Sequence, residues 1–221
     1  PFHPSNAYTI RELLENPADI LHTVELESAK IFGQKHALKL TEKINHGYIL
    51  VDQGIIAGCA GGMFDNICEA TDILESGAIG TDYFSLSVYP ASMPINAALT
   101  NNGVFYRLQK AGAVTKMPFC GPCFGAGDVP ANNALSIRHT TRNFPNREGS
   151  KPEQGQVTGV ALMDARSIAA TAANGGYLTP ATDLDIPYKK HPYSFDREIY
   201  TNRVYYGFRN PETNVDLRLG P

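Results

Sequence analysis

The chain has 221 residues, of which 43% are hydrophobic and 19% are charged, a balance typical of a globular protein and not of a disordered or fibrous one. Its 19 Lys and Arg residues against 22 Asp and Glu residues leave a net charge of -3, which argues against the phosphate attraction on which nucleic-acid binding depends. The most apolar stretch, residues 48–64, is interrupted by Asp52, Gln53 and several glycines, so no transmembrane helix is predicted. Neither nucleic acid nor a membrane is therefore expected as a partner.

The two ends of the chain suggest how it is organised. The sequence opens on Pro1 without a methionine, and its first residues have neither the charged nor the apolar region of a signal peptide. Residues 217–221 stop within a sequence pattern, so we expect a segment of a longer chain; a processed mature protein is the alternative. One domain is predicted over residues 1–186, followed by an extension over residues 187–221 that leads to a missing domain.

Two helices come first in chain order. Thr9 and Glu12 form a capping box, in which each side chain accepts a hydrogen bond from the other residue's backbone amide. A short helix is therefore predicted to begin at Thr9 and to end near Asn16. A second helical pattern covers residues 18–32.

Strands then alternate with helices. Runs of apolar and β-branched residues predict strands over residues 48–57, 84–89, 113–119 and 157–163. Helices are predicted over residues 63–76, 92–110 and 165–173. Ser92 and Asp164 are the expected N-caps, and a glycine-rich turn over residues 58–62 joins the first strand to its helix. The last helix is expected to stop at residues 174–176, where two glycines allow a left-handed cap.

This alternation predicts an α/β fold. Right-handed βαβ connections place helices on both faces of a mainly parallel sheet, which gives a three-layer αβα architecture. In such sheets, ligands bind beyond the carboxyl ends of the strands. Cys59 and Cys120 each follow a predicted strand, so two loops far apart in sequence are expected to bring their cysteines to one edge.

The four cysteines are too few for a disulfide-stapled secreted protein, which favours a reducing, cytoplasmic compartment. Cys68 lies in an amphipathic helical pattern and is expected to be buried. Cys120 and Cys123 carry the sharpest chemical signal, because two thiols three residues apart can either close a disulfide or bind one metal centre.

Three chemistries remain open for these cysteines. Cys120-Gly-Pro-Cys123 is also a thioredoxin-type redox motif, although two glycines and a proline follow it where a redox protein of that type needs a regular helix. Together with Cys59 and His139 it would form a closed Cys3His zinc site. Thiolates also hold iron-sulfur clusters, usually four per cluster, so three cysteines would leave one iron open as a Lewis acid.

Two arginines follow in a stretch predicted to be an irregular loop near the cysteines. The planar fork of Arg matches carboxylate geometry, so Arg142 and Arg147 suit a di- or tricarboxylate substrate; ordinary surface salt bridges are the alternative. Further along, tyrosines are interleaved with Lys and Arg from Pro187 onward. Because acidic residues dilute that charge, a packed hairpin extension is expected there in preference to an RNA-binding surface.

The order of these motifs resembles a known family. Gly58-Cys59, Cys120-Gly-Pro-Cys123, Arg142-Asn-Phe with Arg147, and an Ala-rich helix after a strand are similar to the cluster-bearing third domain of aconitase-type hydratases. The similarity covers residues 48–183. Residues 140–149 and 162–168 look most like a divergent hydratase branch within that family.

The resemblance implies a cofactor and a substrate class. Cys59, Cys120 and Cys123 fall where the family ligates three irons of a [4Fe-4S] cluster, whose fourth iron binds substrate. Arg142 and Arg147 fall where the family holds substrate carboxylates.

The chain also departs from the family pattern. Thr141 stands where the family usually has an asparagine, and residues 60–62 replace its usual Thr-Asn-Ser, so donors near the cluster are missing and the substrate identity stays open.

The resemblance further implies that this chain is one part of a larger hydro-lyase. The family's serine base and several other catalytic groups lie on other domains, so no catalytic residue is assigned here. The expected partners are a small carboxylic acid and the remaining domains of the same chain. The segment alone is expected to be inactive and could be isolated without its cluster. A thiol-disulfide protein and a non-catalytic zinc-binding relative remain as alternatives.

Overall fold

The amino-terminal part of the chain forms two consecutive helices. The computed structural model describes residues 6–75, 77–79, 83–141 and 156–204. In it, helix α1 (Ile10–Glu15) is followed directly by helix α2 (Pro17–Phe32). The predicted capping box is confirmed, since the Thr9 Oγ1 accepts from the Glu12 amide at 3.1 Å and a Glu12 carboxylate oxygen accepts from the Thr9 amide at 2.7 Å.

A parallel sheet forms the centre of the fold. A short antiparallel pair, β1 (Ile44–Asn45) and β2 (Tyr48–Ile49), precedes it. The sheet itself consists of β3 (Gln53–Ile56), β4 (Ser85–Val88), β5 (Val114–Thr115), β6 (Leu135–His139) and β7 (Gly159–Leu162). Its strand order is β5-β4-β3-β6-β7, and every pairing is parallel. The predicted α/β three-layer class with a mainly parallel sheet is confirmed.

The strand order reverses at the middle of the sheet. From β3 the chain adds β4 and β5 toward one edge, and it then returns to place β6 on the other side of β3. Such a reversal opens a crevice beyond the carboxyl ends of the two strands, which is the usual ligand site of open α/β sheets. A ligand site is therefore expected beyond the carboxyl ends of β3 and β6.

Helices connect the strands and cover the sheet. They are α3 (Gly58–Gly61), α4 (Phe64–Leu74), α5 (Met93–Asn101), α6 (Val104–Ala111), α7 (Ala165–Ala173) and α8 (Arg197–Val204). The N-caps predicted for α5 and α7 are confirmed, because the Ser92 and Asp164 side chains accept from the Ile95 and Ser167 amides. Helix α7 ends before Gly175 and Gly176, both of which have positive φ as predicted.

The two faces of the sheet differ in chemistry. On one face, Ile56 and Ile137 belong to the main hydrophobic core, together with buried residues of α4, α6 and α7. On the other face, Ile55 forms a small separate cluster with Ala57 and Tyr89. Arg138 pairs with Ile55 in the sheet register, so its side chain shares this second, more polar face.

Several predicted strands are corrected by the structure. The strand predicted over residues 48–57 is two strands, because the Leu50 and Val51 amides bond to the Lys43 and Gly176 carbonyls between them. The strand predicted over residues 113–119 is only β5, two residues long. Strand β6 was not predicted at all.

Two predicted connections also differ. The glycine-rich turn over residues 58–62 contains one helical turn, α3. The helix predicted over residues 92–110 is interrupted between α5 and α6, where Gly103 adopts a φ of 75°. A positive φ cannot continue a right-handed helix, so the break follows from the backbone at this residue.

The expected hairpin after Pro187 is wrong for the described residues, which form an irregular segment and then α8. That segment is tied to α4 by charged groups. His191 Nε2 lies 2.7 Å from Asp72 Oδ2, and Lys189 Nζ lies 3.3 Å from Glu75 Oε2. The predicted boundary at residue 186 stays a prediction.

Across the described ranges, none of the helices is both long enough and apolar enough to span a bilayer.

The predicted burial of Cys68 is confirmed, and it leads to a testable pattern of thiol reactivity. Burial raises the pKa of the Cys68 thiol from 9.0 to about 12, which lowers its thiolate fraction at pH 8 by roughly a thousandfold. Cys59 and Cys120 are exposed. Brief treatment with iodoacetamide at about pH 8, followed by peptide mass spectrometry, is expected to modify Cys59 and Cys120 but not Cys68. The same treatment in urea should modify Cys68 as well. Equal labelling of Cys59 and Cys68 in folded protein would contradict the burial.

Candidate metal centre at the carboxyl edge of the sheet

Cys59 lies at the point where the strand order reverses. It occupies the first turn of α3, directly after β3, and its side chain is exposed. Thr141 follows the end of β6, and its Oγ1 lies 3.1 Å from the Cys59 Sγ. Cys59 after β3 and Thr141 after β6 therefore lie together at the switch point of the sheet, where the topology predicts a ligand site.

Cys120 and Cys123 lie in a compact loop, residues 120–128, hereafter the cysteine loop. Cys120 precedes a 3₁₀ turn (Gly121–Phe124), and the Cys123 amide donates to the Cys120 carbonyl at 3.1 Å. Gly125 follows with a φ of 82°, so no regular helix continues from the motif. This geometry differs from that of thioredoxin-type proteins, in which the first cysteine lies at the start of a helix.

The lack of a side chain at Gly58 leaves room for the Cys123 sulfur next to Cys59. Gly58 has a φ of 72°, and a Cβ built on it would lie 2.5 Å from the Cys123 Sγ. The Cys123 sulfur therefore occupies the space that any side chain at position 58 would need. Cys59 and Cys123, from loops far apart in sequence, thus reach the same corner of the sheet. Exposed Cys120 lies three residues before Cys123, and its expected place beside Cys59 stays a prediction.

The α3 turn itself rests directly on β6. A Cβ on Gly61 would lie 1.8 Å from the backbone oxygen of His139, and one on Gly62 would lie 2.3 Å from the backbone oxygen of Tyr89. The Ala57 amide donates to the same His139 oxygen at 3.0 Å. The position of Cys59 is therefore fixed by backbone contacts with the strand ends.

The donor set does not converge on one point. Within residues 6–75, 77–79, 83–141 and 156–204, no three His, Cys, Asp or Glu side chains are grouped closely enough to hold a single metal ion. His139 is half-buried, and burial lowers the pKa of its ring, which is therefore neutral near pH 7. Among the residues that the structure describes, none makes a hydrogen bond with its buried Nδ1. The closed Cys3His zinc site does not match this arrangement.

An iron-sulfur cluster places a different demand on its ligands than a single ion does. In an iron-sulfur cluster each cysteine ligates a different iron, so the sulfurs need not meet at one ion. Cys59 and Cys120 are exposed, and Cys123 is half-buried. Arg142 and Arg147, the expected carboxylate ligands, lie outside the described residues.

A group of polar residues that was not predicted connects the end of the cysteine loop to the sheet: Asp128 in the loop, and Gln53, Tyr89, Ser136 and Arg138 outside it. Arg138 is the most unexpected, because its long charged side chain is only 1% exposed. The alternation of Leu135, Ser136, Ile137 and Arg138 is the period-two signal of a strand, which would have placed Ser136 and Arg138 on one face.

A comparison with protein families shows which family this chain belongs to. A model of the aconitase family (aconitate hydratase) matches residues 1–170. The chain belongs to the aconitase family. The family resemblance inferred from the cysteine and arginine motifs is confirmed.

Curated relatives of this aconitase-family chain carry related names. The 3-isopropylmalate dehydratase large subunit of Helicobacter hepaticus is 31% identical over 144 residues, which cover 65% of this chain and 33% of the relative. The 3-isopropylmalate dehydratase large subunit 2 of Pyrococcus furiosus is 32% identical over 166 residues, covering 75% and 36% respectively. The methanogen homoaconitase large subunit of Methanocaldococcus jannaschii is 31% identical over 134 residues, covering 60% and 30%. The chain spans about a third of the length of these relatives.

The contact between Gly61 and His139 predicts a large cost for a single methyl group. Gly61→Ala would force the α3 turn away from β6, and overpacking of this kind costs about 1–3 kcal/mol or more. The free energy of unfolding, measured by urea titration, should fall by that amount. Gly77→Ala is the matched control, because the nearest atom to its Cβ is 4.0 Å away. Equal stability of the two variants would show that the α3 turn does not rest on β6.

Proposed function

We propose that this chain is the iron-sulfur part of an aconitase-type hydro-lyase, which removes and re-adds water on a hydroxy di- or tricarboxylic acid. The observation that carries the proposal is the position of the Cys123 sulfur against Gly58, beside Cys59 and at the switch point of the sheet. Membership of the aconitase family supports the same reaction class.

In this proposal Cys59, Cys120 and Cys123 hold a [4Fe-4S] cluster. Two of these thiols are exposed and one is half-buried, and thiolates are the ligands that such clusters use. A cluster bound through three cysteines keeps one iron open, which supplies a Lewis acid for the substrate hydroxyl and carboxylate. Thr141 would donate a hydrogen bond to the Cys59 sulfur, and such bonds tune cluster properties.

Arg142 and Arg147 are proposed to bind the substrate carboxylates. Guanidinium groups bind carboxylates through paired hydrogen bonds, and the two residues follow β6 in the sequence close to Thr141. The relatives named for 3-isopropylmalate and homoaconitate chemistry support a hydroxy acid with two or three carboxyl groups.

The chain is proposed to act together with further protein. It spans about a third of its large-subunit relatives, and no catalytic acid or base is assigned within it. The remaining domains of the same chain, or a small subunit paired with a large one, are the proposed partners. The isolated chain is expected to bind its cluster and substrate but to show little turnover. Its free thiols suit a reducing, cytoplasmic compartment.

The cluster proposal predicts the metal content of cysteine variants. Reconstitution with iron and sulfide in the absence of oxygen should give about four irons per chain, because one [4Fe-4S] cluster is bound. Cys59→Ser, Cys120→Ser and Cys123→Ser should each lose iron, acid-labile sulfide and the visible absorption.

Cys68→Ala is the control for this series, since Cys68 is buried in α4 away from the cysteine loop and its loss should leave the iron content unchanged. Iron that survives the loss of Cys59 would instead favour a site built from Cys120 and Cys123 alone. Dithiol activity insensitive to Cys59, with no iron bound, would support the redox alternative.

The substrate proposal predicts the effect of arginine variants. Arg142→Gln and Arg147→Gln should each weaken binding of 3-isopropylmalate to the reconstituted chain by about tenfold or more, because each removes charge-assisted hydrogen bonds worth roughly 1.5–3 kcal/mol. Calorimetric titration measures the dissociation constants. Arg166→Gln is the control, since Arg166 lies on α7 and pairs with Glu69 at 3.8 Å. Equal dissociation constants for all three variants would show that Arg142 and Arg147 do not bind the substrate.

A further inference from the structure

The cysteine loop has little apolar surface with which to anchor itself. Phe119, which precedes the loop, is 53% exposed, and Phe124 within it is 45% exposed. The two rings contact each other edge to face and do not enter the core. Gly121 and Pro122 are the buried residues of the motif itself, and neither offers a long side chain to the core. Other contacts must therefore fix the loop on the sheet.

The first part of the loop is bound by Arg138. Its Nη1 donates to the Pro122 carbonyl at 3.1 Å, within the Cys120–Cys123 motif. Its Nε donates to the Ser136 Oγ at 2.9 Å, and its Nη2 donates to the Gln53 Oε1 at 3.5 Å. The guanidinium thus joins the cysteine motif to residues of both central strands, β3 and β6.

The last residue of the loop is bound by the same network. Gln53 Nε2 donates to the Asp128 carbonyl at 3.4 Å, and the Tyr89 hydroxyl donates to the Asp128 carboxylate at 2.6 Å. Tyr89 is buried, and burial and the nearby carboxylate raise its pKa, so its hydroxyl keeps its proton. Ser136 Oγ also donates to the Gln53 Oε1 at 2.7 Å. Both ends of the loop are therefore connected through Gln53.

We propose that Arg138 is a positioning residue for the metal centre. Together with Gln53, Tyr89, Asp128 and Ser136 it forms a polar clamp that sets the position of Cys120 and Cys123 relative to Cys59. The role rests on the proposed cluster-binding function. Arg138 touches the backbone of the cysteine motif, and it acts on the cluster through the ligands that it holds.

The chemistry of arginine suits this role. Its planar guanidinium carries five donors in a fixed arrangement, so it can bond several acceptors in different directions at once. Lysine keeps the charge but has a single donor centre and cannot maintain the same set. A neutral glutamine would be shorter and would leave the Pro122 carbonyl without this donor.

The clamp is tested first in the cluster-free chain by hydrogen exchange. The Cys123 and Ala126 amides are bonded within the loop, to the Cys120 and Gly121 carbonyls. In Arg138→Lys these two amides are expected to exchange about tenfold faster, because the loop separates more often from the sheet. Ile137→Val is the matched control: it trims a buried core residue on the same strand that faces away from the loop. Tyr89→Phe tests the other end of the loop without changing the fold and should speed the Ala126 amide in the same direction.

The cluster provides a second, independent readout. In reconstituted protein, Arg138→Lys is expected to lose iron to a chelator about tenfold faster than wild type and to change the electron paramagnetic resonance spectrum of the reduced cluster, whereas Ile137→Val should change neither. Loop exchange in Arg138→Lys and Tyr89→Phe equal to that in Ile137→Val would overturn the clamp. A wild-type chain that binds no iron would instead remove the cluster function, and the exchange experiment would still decide whether the clamp exists.

Discussion

The close backbone approach of the α3 turn to the strand ends is the constraint on which the site depends. Gly61 lies against the His139 oxygen, and Gly62 lies against the Tyr89 oxygen while its own carbonyl accepts from the Ala91 amide. The turn that follows β3 thus touches the ends of both neighbouring strands, β4 and β6. Cys59 is held by this backbone packing, and Gly58 leaves the adjacent space to the Cys123 sulfur.

This packing limits which residues can follow Cys59. Residues 60–62 are Ala-Gly-Gly in place of the family's usual Thr-Asn-Ser. A side chain at position 61 or 62 would collide with backbone atoms of β6 or of the segment after β4. Positions 61 and 62 therefore accept only glycine unless the backbone shifts.

Much of the fold could be predicted from local sequence signals. The capping box at Thr9, the N-caps of α5 and α7 and the glycines after α7 each depend on a few neighbouring residues, and each was predicted correctly. Strand β6 was missed because Ser136 and Arg138 made it look polar, although both face the cysteine loop. The break at Gly103 was missed because a glycine within a helical pattern does not reveal the sign of its φ.

The site was predictable only in part, for a related reason. The spacing of Cys120 and Cys123 and the position of Cys59 after a strand are local features, and they are readable from the sequence. The network of Gln53, Ser136, Arg138 and Asp128 joins residues far apart in the chain by hydrogen bonds across the sheet. No local pattern encodes such contacts, since they exist only after β3 and β6 have paired.

The ion pairs between α4 and the segment around His191 make that segment part of the folding unit. Asp72 is a buried carboxylate, with the His191 ring at 2.7 Å and the Arg107 guanidinium at 3.6 Å. Lys189 also lies near this carboxylate, at 3.8 Å. A chain cut at residue 186 would keep all of the sheet but would lose the contacts of Lys189 and His191 with Asp72. The regular α/β pattern of the sequence therefore ends near residue 186, whereas the part of the chain that unfolds together with the sheet extends beyond that residue.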